Sequence, residues 1–148
     1  MSDDAVLVVE DEPGDAFLIQ RAFTKANIAN PVRIATDGEQ AIEYLQGSGA
    51  YGDRTKFPLP RVMLLDLKLP RRSGLEVLAW LRAQPGLKRL KVVVLTSSRE
   101  TRDVNGASDL GVSSYLVKPV EHTRLVELVS SLHAFLVVNS EHANLRPE

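Results

Sequence analysis

The residues of this sequence that could do chemistry stand directly after short apolar runs, where a buried strand would leave the core. They comprise three carboxylates, one hydroxyl and one amine: Glu10, Asp11, Asp66, Thr96 and Lys118. Crowded carboxylates repel one another and need a cation; with few protein ligands and room for water, magnesium suits them better than calcium. A carboxylate can also attack phosphorus and form an aspartyl phosphate, whose charge the metal, the hydroxyl and the amine would share.

Each of these residues also has an ordinary structural interpretation. Asp66 could cap the following helix, although Ser73 is better placed to do so. The acidic pair that ends the first apolar run could simply form the acidic first turn of the next helix. Thr96 is a typical strand-terminal residue and Lys118 a typical solvated one, and for either residue alone these interpretations are preferable. The chemical hypothesis therefore depends on the residues occurring together.

The elements that must position these residues alternate between strand and helix five times. Strands are predicted at Ala5–Val9, Val32–Ala35, 62–65, Lys91–Thr96 and Ser114–Val117, and helices at 14–26, 38–45, 74–83, 101–110 and from about residue 121. This alternation predicts an α/β fold, a parallel sheet with helices on both faces. The uninterrupted apolar runs are typical of strands buried on both faces. Right-handed crossovers then bring every strand's carboxyl end to one edge, where open sheets bind their ligands.

Composition narrows the function further. The 148 residues suffice for one domain, and a formal net charge of -1 gives no electrostatic argument for binding nucleic acid or an anionic membrane. The sequence contains no cysteine, so disulfides and thiolate metal sites are excluded, which fits a reducing cytoplasm. No apolar run approaches the length of a membrane span.

Four segments at the strand ends together resemble a response-regulator receiver domain over roughly the whole chain. They are residues 8–11 (Val-Val-Glu-Asp), 64–66 (Leu-Leu-Asp), 94–97 (Val-Leu-Thr-Ser) and 115–119 (Tyr-Leu-Val-Lys-Pro). The resemblance implies a flavodoxin-like receiver fold, a doubly wound five-stranded parallel sheet with the strand order 2-1-3-4-5. It departs from many members in having Glu-Asp where they have Asp-Asp.

The same resemblance implies a role for each site residue. Asp66 would accept a phosphoryl group from a phosphohistidine of a sensor histidine kinase. Asp11 and Asp66 would bind Mg²⁺, with the backbone carbonyl of Lys68 as the third protein ligand and Glu10 acting through water.

Three further residues would act on the phosphoryl group or respond to it. Thr96 and Lys118 would contact the phosphoryl oxygens, and Tyr115 would be an aromatic switch that turns inward when Thr96 is drawn to the phosphate. The Lys118–Pro119 peptide would be cis, which proline makes accessible because its amide narrows the gap between the cis and trans forms.

The end of the chain suggests how a signal would leave it. We expect a receiver domain at residues 1–138 with an extended final helix, and a polar tail at 139–148 too short for a DNA-binding unit. The output would then be protein association, and a homodimer is favoured because the apolar residues 135–138 cannot all face inward on one helix. The fourth helix, with only Val104, Ala107 and Leu110 in register, would belong to the same surface.

Three features indicate a signalling partner. A long loop over residues 47–60, the Leu-Pro-Arg stretch around Pro70 and the extended final helix resemble small stand-alone regulators that serve bacterial phytochromes, so the kinase would be a bacteriophytochrome.

Two other functions compete with this interpretation. An aspartate-nucleophile phosphohydrolase of the haloacid-dehalogenase type also uses an aspartate, a hydroxyl and a lysine, but it needs a second aspartate where this chain has Lys68. A receiver-like interaction domain that never carries phosphate is the second alternative, and the complete set of site residues argues against it.

Overall fold

The computed structural model of the chain describes residues 5–145, with side chains described through residue 133 and at residue 136. Five strands form its centre: β1 (Ala5–Val9), β2 (Val32–Ala35), β3 (Pro60–Leu65), β4 (Lys91–Thr96) and β5 (Ser114–Val117). They make one parallel sheet in the order β2-β1-β3-β4-β5. The predicted fold class and strand order are confirmed.

A helix follows each strand, as the alternating pattern predicts. The helices are α1 (Pro13–Lys25), α2 (Gly38–Gln46), α3 (Gly74–Arg82), α4 (Thr101–Asp109) and α5 (His122–Leu145), with short 3-10 turns at Gly49–Tyr51 and Pro85–Leu87. Among the residues described, no helix combines the length and the apolar character that crossing a bilayer requires.

The strand register aligns the carboxyl ends at one edge. Val9 pairs with Ala35 on one side and Leu65 on the other, and Thr96 pairs with Val117. The residues that follow these positions are therefore neighbours in space although they lie far apart in sequence.

Core side chains pack on both faces of the sheet, which explains the apolar runs without alternation. In β1, Val6 and Val8 contact the layer built with α1 and α5, whereas Leu7 and Val9 contact the layer built with α2 and α3. The central strands β1, β3 and β4 thus bury both of their faces, whereas β2 and β5 at the sheet edges are only partly buried. A polar residue stands at the carboxyl end of each central strand or directly after it.

The two helices expected to form the surface for protein association, α4 and α5, differ in part from the prediction. In α4 only Ala107 is buried, Leu110 at its end packs half-buried against the core, and Val104 is 37% exposed. Two of the three residues expected in register therefore contact the core. In α5 Leu136 is fully buried and so cannot contribute to a dimer surface. The expectation for Phe135, Val137 and Val138 falls outside the described side chains. The helical backbone of α5 continues to Leu145, into the segment expected to be a polar tail.

The loop over residues 47–60 is organised around one side chain. The guanidinium of Arg54 donates to the carbonyl oxygens of Tyr44 at 2.8 Å and Leu45 at 3.0 Å, the last turn of α2, and to that of Phe57 at 3.0 Å. The Tyr44 hydroxyl donates to the Pro58 carbonyl at 2.8 Å. The insertion is therefore fixed to the domain through the carboxyl end of α2.

Candidate functional site

Asp66 is the first residue after β3 and lies at the centre of the carboxyl edge. Its backbone N–H donates to the Val9 carbonyl at 3.1 Å, which continues the pairing of β3 with β1. Asp66 is 5% exposed as a residue, and both carboxylate oxygens are engaged: Oδ1 accepts from the Lys68 N–H at 3.0 Å and Oδ2 from Lys118 Nζ at 2.9 Å. A carboxylate this buried is tolerated because both oxygens have donors.

Glu10 and Asp11 follow β1 and reach the same point. The Glu10 N–H donates to the Ala35 carbonyl at 2.9 Å, so this residue still belongs to the sheet, and its side chain is buried. Asp11 is exposed. One oxygen from each of Glu10, Asp11 and Asp66 lies within 4.8 Å of the others, a spacing at which one cation can contact all three.

The charge of this cluster requires neutralisation. Burial raises the pKa of Glu10 to about 7, and the negative charge of Asp66 contributes to the increase. The hydrogen bond from Lys118 lowers the pKa but does not offset burial. Oxygen ligands of this kind fit a hard divalent cation. Asp11 and Lys68 also line an open cleft of ≈ 740 Å³, so water can complete the coordination of an ion held there.

Lys118 supplies a fixed positive charge beside the carboxylates. Its Nζ donates to Glu10 Oε1 at 2.8 Å, to Asp15 Oδ2 at 2.9 Å and to Asp66 Oδ2 at 2.9 Å. Burial lowers the pKa of Lys118, but the three hydrogen bonds outweigh burial and leave the pKa above its ordinary value. The peptide between Lys118 and Pro119 is cis, as the resemblance implies.

Thr96 ends β4 and is completely buried. Its carbonyl accepts the Lys118 N–H at 2.8 Å, and its hydroxyl accepts the Ser98 N–H at 3.3 Å. Thr96 is therefore tied through its backbone to the lysine and through its side chain to the loop that leads into α4.

Tyr115 points inward and reaches the same loop. Its half-buried ring packs against the core, and its hydroxyl donates to the Ser98 carbonyl at 3.0 Å. Ser98 is buried and its hydroxyl donates to the carboxylate of Asp103 in the first turn of α4. A path of hydrogen bonds thus joins Thr96, Ser98, Tyr115 and Asp103.

The segment after Asp66 is held in place by its neighbours, which fixes the direction of the carboxylate. Ser73 caps α3 in a capping box with Glu76, so the alternative in which Asp66 caps that helix is wrong. The Gly74 N–H donates to the Leu67 carbonyl at 2.9 Å, and the Gly38 N–H donates to the Pro70 carbonyl at 3.3 Å.

Comparison with known proteins decides the family. The family model described as the response regulator receiver domain matches residues 6–130 of this chain. The chain belongs to the response regulator receiver family. Receiver domains act as phosphoacceptors and bind a divalent metal, and the carboxylate cluster described above suits both activities.

One similar protein is known from both its sequence and its crystal structure. Response regulator Rcp1 of Synechocystis is 38% identical over 88% of this chain and 86% of its own length. Its Mn²⁺-bound crystal structure covers 89% of this chain and 93% of its own, with a TM-score of 0.77.

Two further proteins show the range of pathways among the relatives. The phosphorylated cyanobacterial phytochrome response regulator RcpA is 34% identical, with a TM-score of 0.79 over 90% of this chain and 94% of its own. FilR2 of Methanothrix harundinacea, whose name assigns it to the regulation of methanogenesis, is 35% identical over 88% of this chain and 81% of its own length.

The receiver domain brings together nearly all the residues that its sequence singled out, and it adds two. Glu10, Asp11, Asp66 and Lys118 converge directly, and Thr96 adjoins Lys118 through its backbone. Asp15 was not predicted, although an acidic residue one helical turn after Asp11 was a visible signal. Ser98, the second addition, lies one residue beyond the 94–97 segment and carries no distinguishing sequence signal.

Proposed function

We propose that Asp66 is the phosphoacceptor of a response regulator phosphorylated by a sensor histidine kinase. The observation that carries the proposal is the convergence of Glu10, Asp11 and Lys118 on the Asp66 carboxylate. In the transfer, a carboxylate oxygen attacks phosphorus and forms a P–O bond while the P–N bond to the kinase histidine breaks. The electron pair of that bond returns to the imidazole nitrogen.

Magnesium and two side chains are proposed to offset the charge of the transferred group. Asp11 and Asp66 would hold Mg²⁺ with the Lys68 carbonyl, and Glu10 would act through water. Thr96 and Lys118 would contact the phosphoryl oxygens, because transfer requires these oxygens to be neutralised. The same site would release the phosphate slowly by hydrolysis, without turnover of other substrates.

Tyr115 and Thr96 are proposed to form the switch. A phosphoryl group can shift a two-state equilibrium only through contacts that differ between the two states. If the Thr96 hydroxyl turned toward the phosphate, it would lose the hydrogen bond that it accepts from the Ser98 N–H. The hydrogen bond from the Tyr115 hydroxyl to the Ser98 carbonyl would then transmit the change to α4.

Phosphorylation with a small acyl phosphate and Mg²⁺ tests the phosphoacceptor directly. We expect the intact mass to increase by one phosphoryl group in the wild-type chain and in an Asp53→Asn control, whose exposed carboxylate lies in the loop. Asp66→Asn and chelation of the metal should each abolish the modification. Continued modification of Asp66→Asn would overturn the assignment, and failure of the wild-type chain would favour the phosphate-independent interaction domain.

The kinase proposed as partner is a bacteriophytochrome. The similarity to RcpA supports this partner, whereas FilR2 shows that comparable identity occurs in another pathway. Phosphotransfer from a panel of purified kinases decides between them. A phytochrome-type kinase should modify Asp66 within the shortest incubation, and preference for an unrelated kinase would contradict the assignment.

The proposed output is association, with a homodimer as the first candidate. The sequence prediction that some of Phe135, Val137 and Val138 face outward, and the exposed surface of α4, in which only Ala107 is buried, support this output. Light scattering before and after phosphorylation measures it: a doubled mass in either state supports a dimer, and a monomer in both states contradicts it.

A further inference from the structure

Asp15 contacts the phosphotransfer amine without belonging to the carboxylates that can share a cation. An ammonium group has three N–H donors, and Lys118 uses one on each of Glu10, Asp15 and Asp66. Within the described residues, the set spaced to hold a cation comprises Glu10, Asp11 and Asp66. Two of the three acceptors of Lys118 are therefore also candidates for the metal, and Asp15 is not in that set.

This difference matters when a dication enters the site. A divalent cation bound near Glu10 and Asp66 neutralises the negative charge of their oxygens, so their attraction for Lys118 weakens. The cation also repels the ammonium group directly. The attraction that remains undiminished comes from Asp15, whose side chain is 39% exposed and belongs to the first turn of α1. An anchor on a helix is better fixed than one on a loop, because the helix backbone restricts where the carboxylate can lie.

We propose that Asp15 is a positioning residue that holds Lys118 beside Asp66 while the metal is bound. The inference rests on the proposed function, because it assigns Lys118 to the phosphoryl oxygens. When Asp66 is phosphorylated, the hydrogen bond from Lys118 to Oδ2 passes to a phosphoryl oxygen. The hydrogen bond to Asp15 stays in place and keeps the amine of Lys118 beside the phosphoryl group.

Crystal structures with Mn²⁺ test the anchor independently of phosphorylation. In the wild-type chain, Lys118 Nζ should stay within hydrogen-bonding distance of both Asp15 and Asp66. In Asp15→Ala with Mn²⁺, Nζ should withdraw from Asp66, while the metal-free variant keeps that contact. An unchanged lysine in the metal-bound variant would overturn the proposal, whatever the phosphorylation experiments show.

Phosphorylation kinetics provide the second measurement. With saturating Mg²⁺ and an acyl phosphate, Asp15→Ala should slow modification about fivefold, the loss that fits a partly exposed ion pair. Glu12→Gln removes a charge from an exposed side chain next to Glu10 and Asp11, and it should slow modification less than Asp15→Ala does.

A double-mutant cycle separates positioning from a general structural role. If Asp15 acts through Lys118, its loss should have no further effect in a Lys118→Met background. An equal slowing in both backgrounds, or faster modification of Asp15→Ala, would overturn the proposal. Failure of the wild-type chain to accept phosphate would instead count against the proposed function, and the Mn²⁺ structures would still decide the role of Asp15.

Discussion

Gly74 packs directly against the backbone of Asp66. A Cβ placed on Gly74 would overlap the Asp66 carbonyl oxygen and lie 2.6 Å from Leu67 Cα. Both obstacles are backbone atoms, which cannot rotate away as a side chain can. The start of α3 and the proposed phosphoacceptor therefore fit together only when residue 74 has no side chain.

Gly74→Ala is accordingly expected to damage both stability and chemistry. Relief of the overlap must move the segment 66–68 or the start of α3, at a cost of about 1–3 kcal/mol in the free energy of unfolding. Urea denaturation measures this cost, and the rate of modification by an acyl phosphate reports the displaced carboxylate. Gly14→Ala is the matched control, because no heavy atom lies within 4 Å of its added Cβ. Equal behaviour of the two variants would show that the overlap is relieved without cost.

Tyr115→Phe should affect the switch more than the fold. The ring stays in place, but the Ser98 carbonyl loses the donor that lies at 3.0 Å, so the inward position should weaken by about 1 kcal/mol. The measurement is the change in backbone amide resonances of α4 on phosphorylation, which should become smaller than in the wild-type chain.

Tyr44→Phe provides a chemically matched comparison for the switch. It removes a similar hydroxyl-to-carbonyl bond, of 2.8 Å to Pro58, at a site away from α4. Its stability should fall by a comparable amount, about 1 kcal/mol, while the response to phosphorylation is unchanged. An equal loss of response in both variants would argue against a specific role for Tyr115.

The residues that the sequence identified share one physical origin. A parallel strand buried on both faces ends in a change from apolar to polar side chains, and the topology takes these ends to one edge. Asp66, Thr96 and Lys118 could be found in this way because each is the last residue of a strand or the first after it.

The residues that were missed depend on details that the strand pattern does not contain. Asp15 reaches Lys118 because of the direction in which α1 leaves β1, and Arg54 acts through carbonyl groups that carry no sequence signal. Val104 has the spacing of a core residue, but α4 lies so that only Ala107 is buried. Periodicity gives the face of a helix; how closely that face approaches the sheet depends on packing.

Arg54→Lys should loosen the 47–60 loop and leave the phosphorylation site intact. The guanidinium donates to three carbonyl groups at once, whereas an ammonium cannot reproduce its planar geometry. We expect a loss of about 1–3 kcal/mol and faster proteolysis within the loop, with an unchanged rate of modification at Asp66. Slower modification would show that the loop is coupled to the site.

Metal affinity should increase with pH around neutrality because of Glu10. Burial raises the pKa of this carboxyl to about 7 in the metal-free protein, so below that pH a cation must displace a proton. The stability of the metal-free fold depends on pH in the opposite direction. A carboxyl group whose pKa is raised by folding stabilises the fold fully below its unfolded pKa of 4.5, and this contribution is lost as the pH rises through about 7.

Calorimetric titration with Mn²⁺ at several pH values, in buffers of different ionisation enthalpy, measures both the affinity and the protons released. The wild-type chain should release up to one proton per metal near pH 6 and progressively fewer above pH 7. Glu10→Gln should bind with little dependence on pH in this range, because the group that exchanges the proton is gone. The same pH dependence in Glu10→Gln would assign the titration to another group in the cluster. Asp11→Asn, which alters an exposed carboxylate of the same set, should weaken binding at every pH and keep the slope.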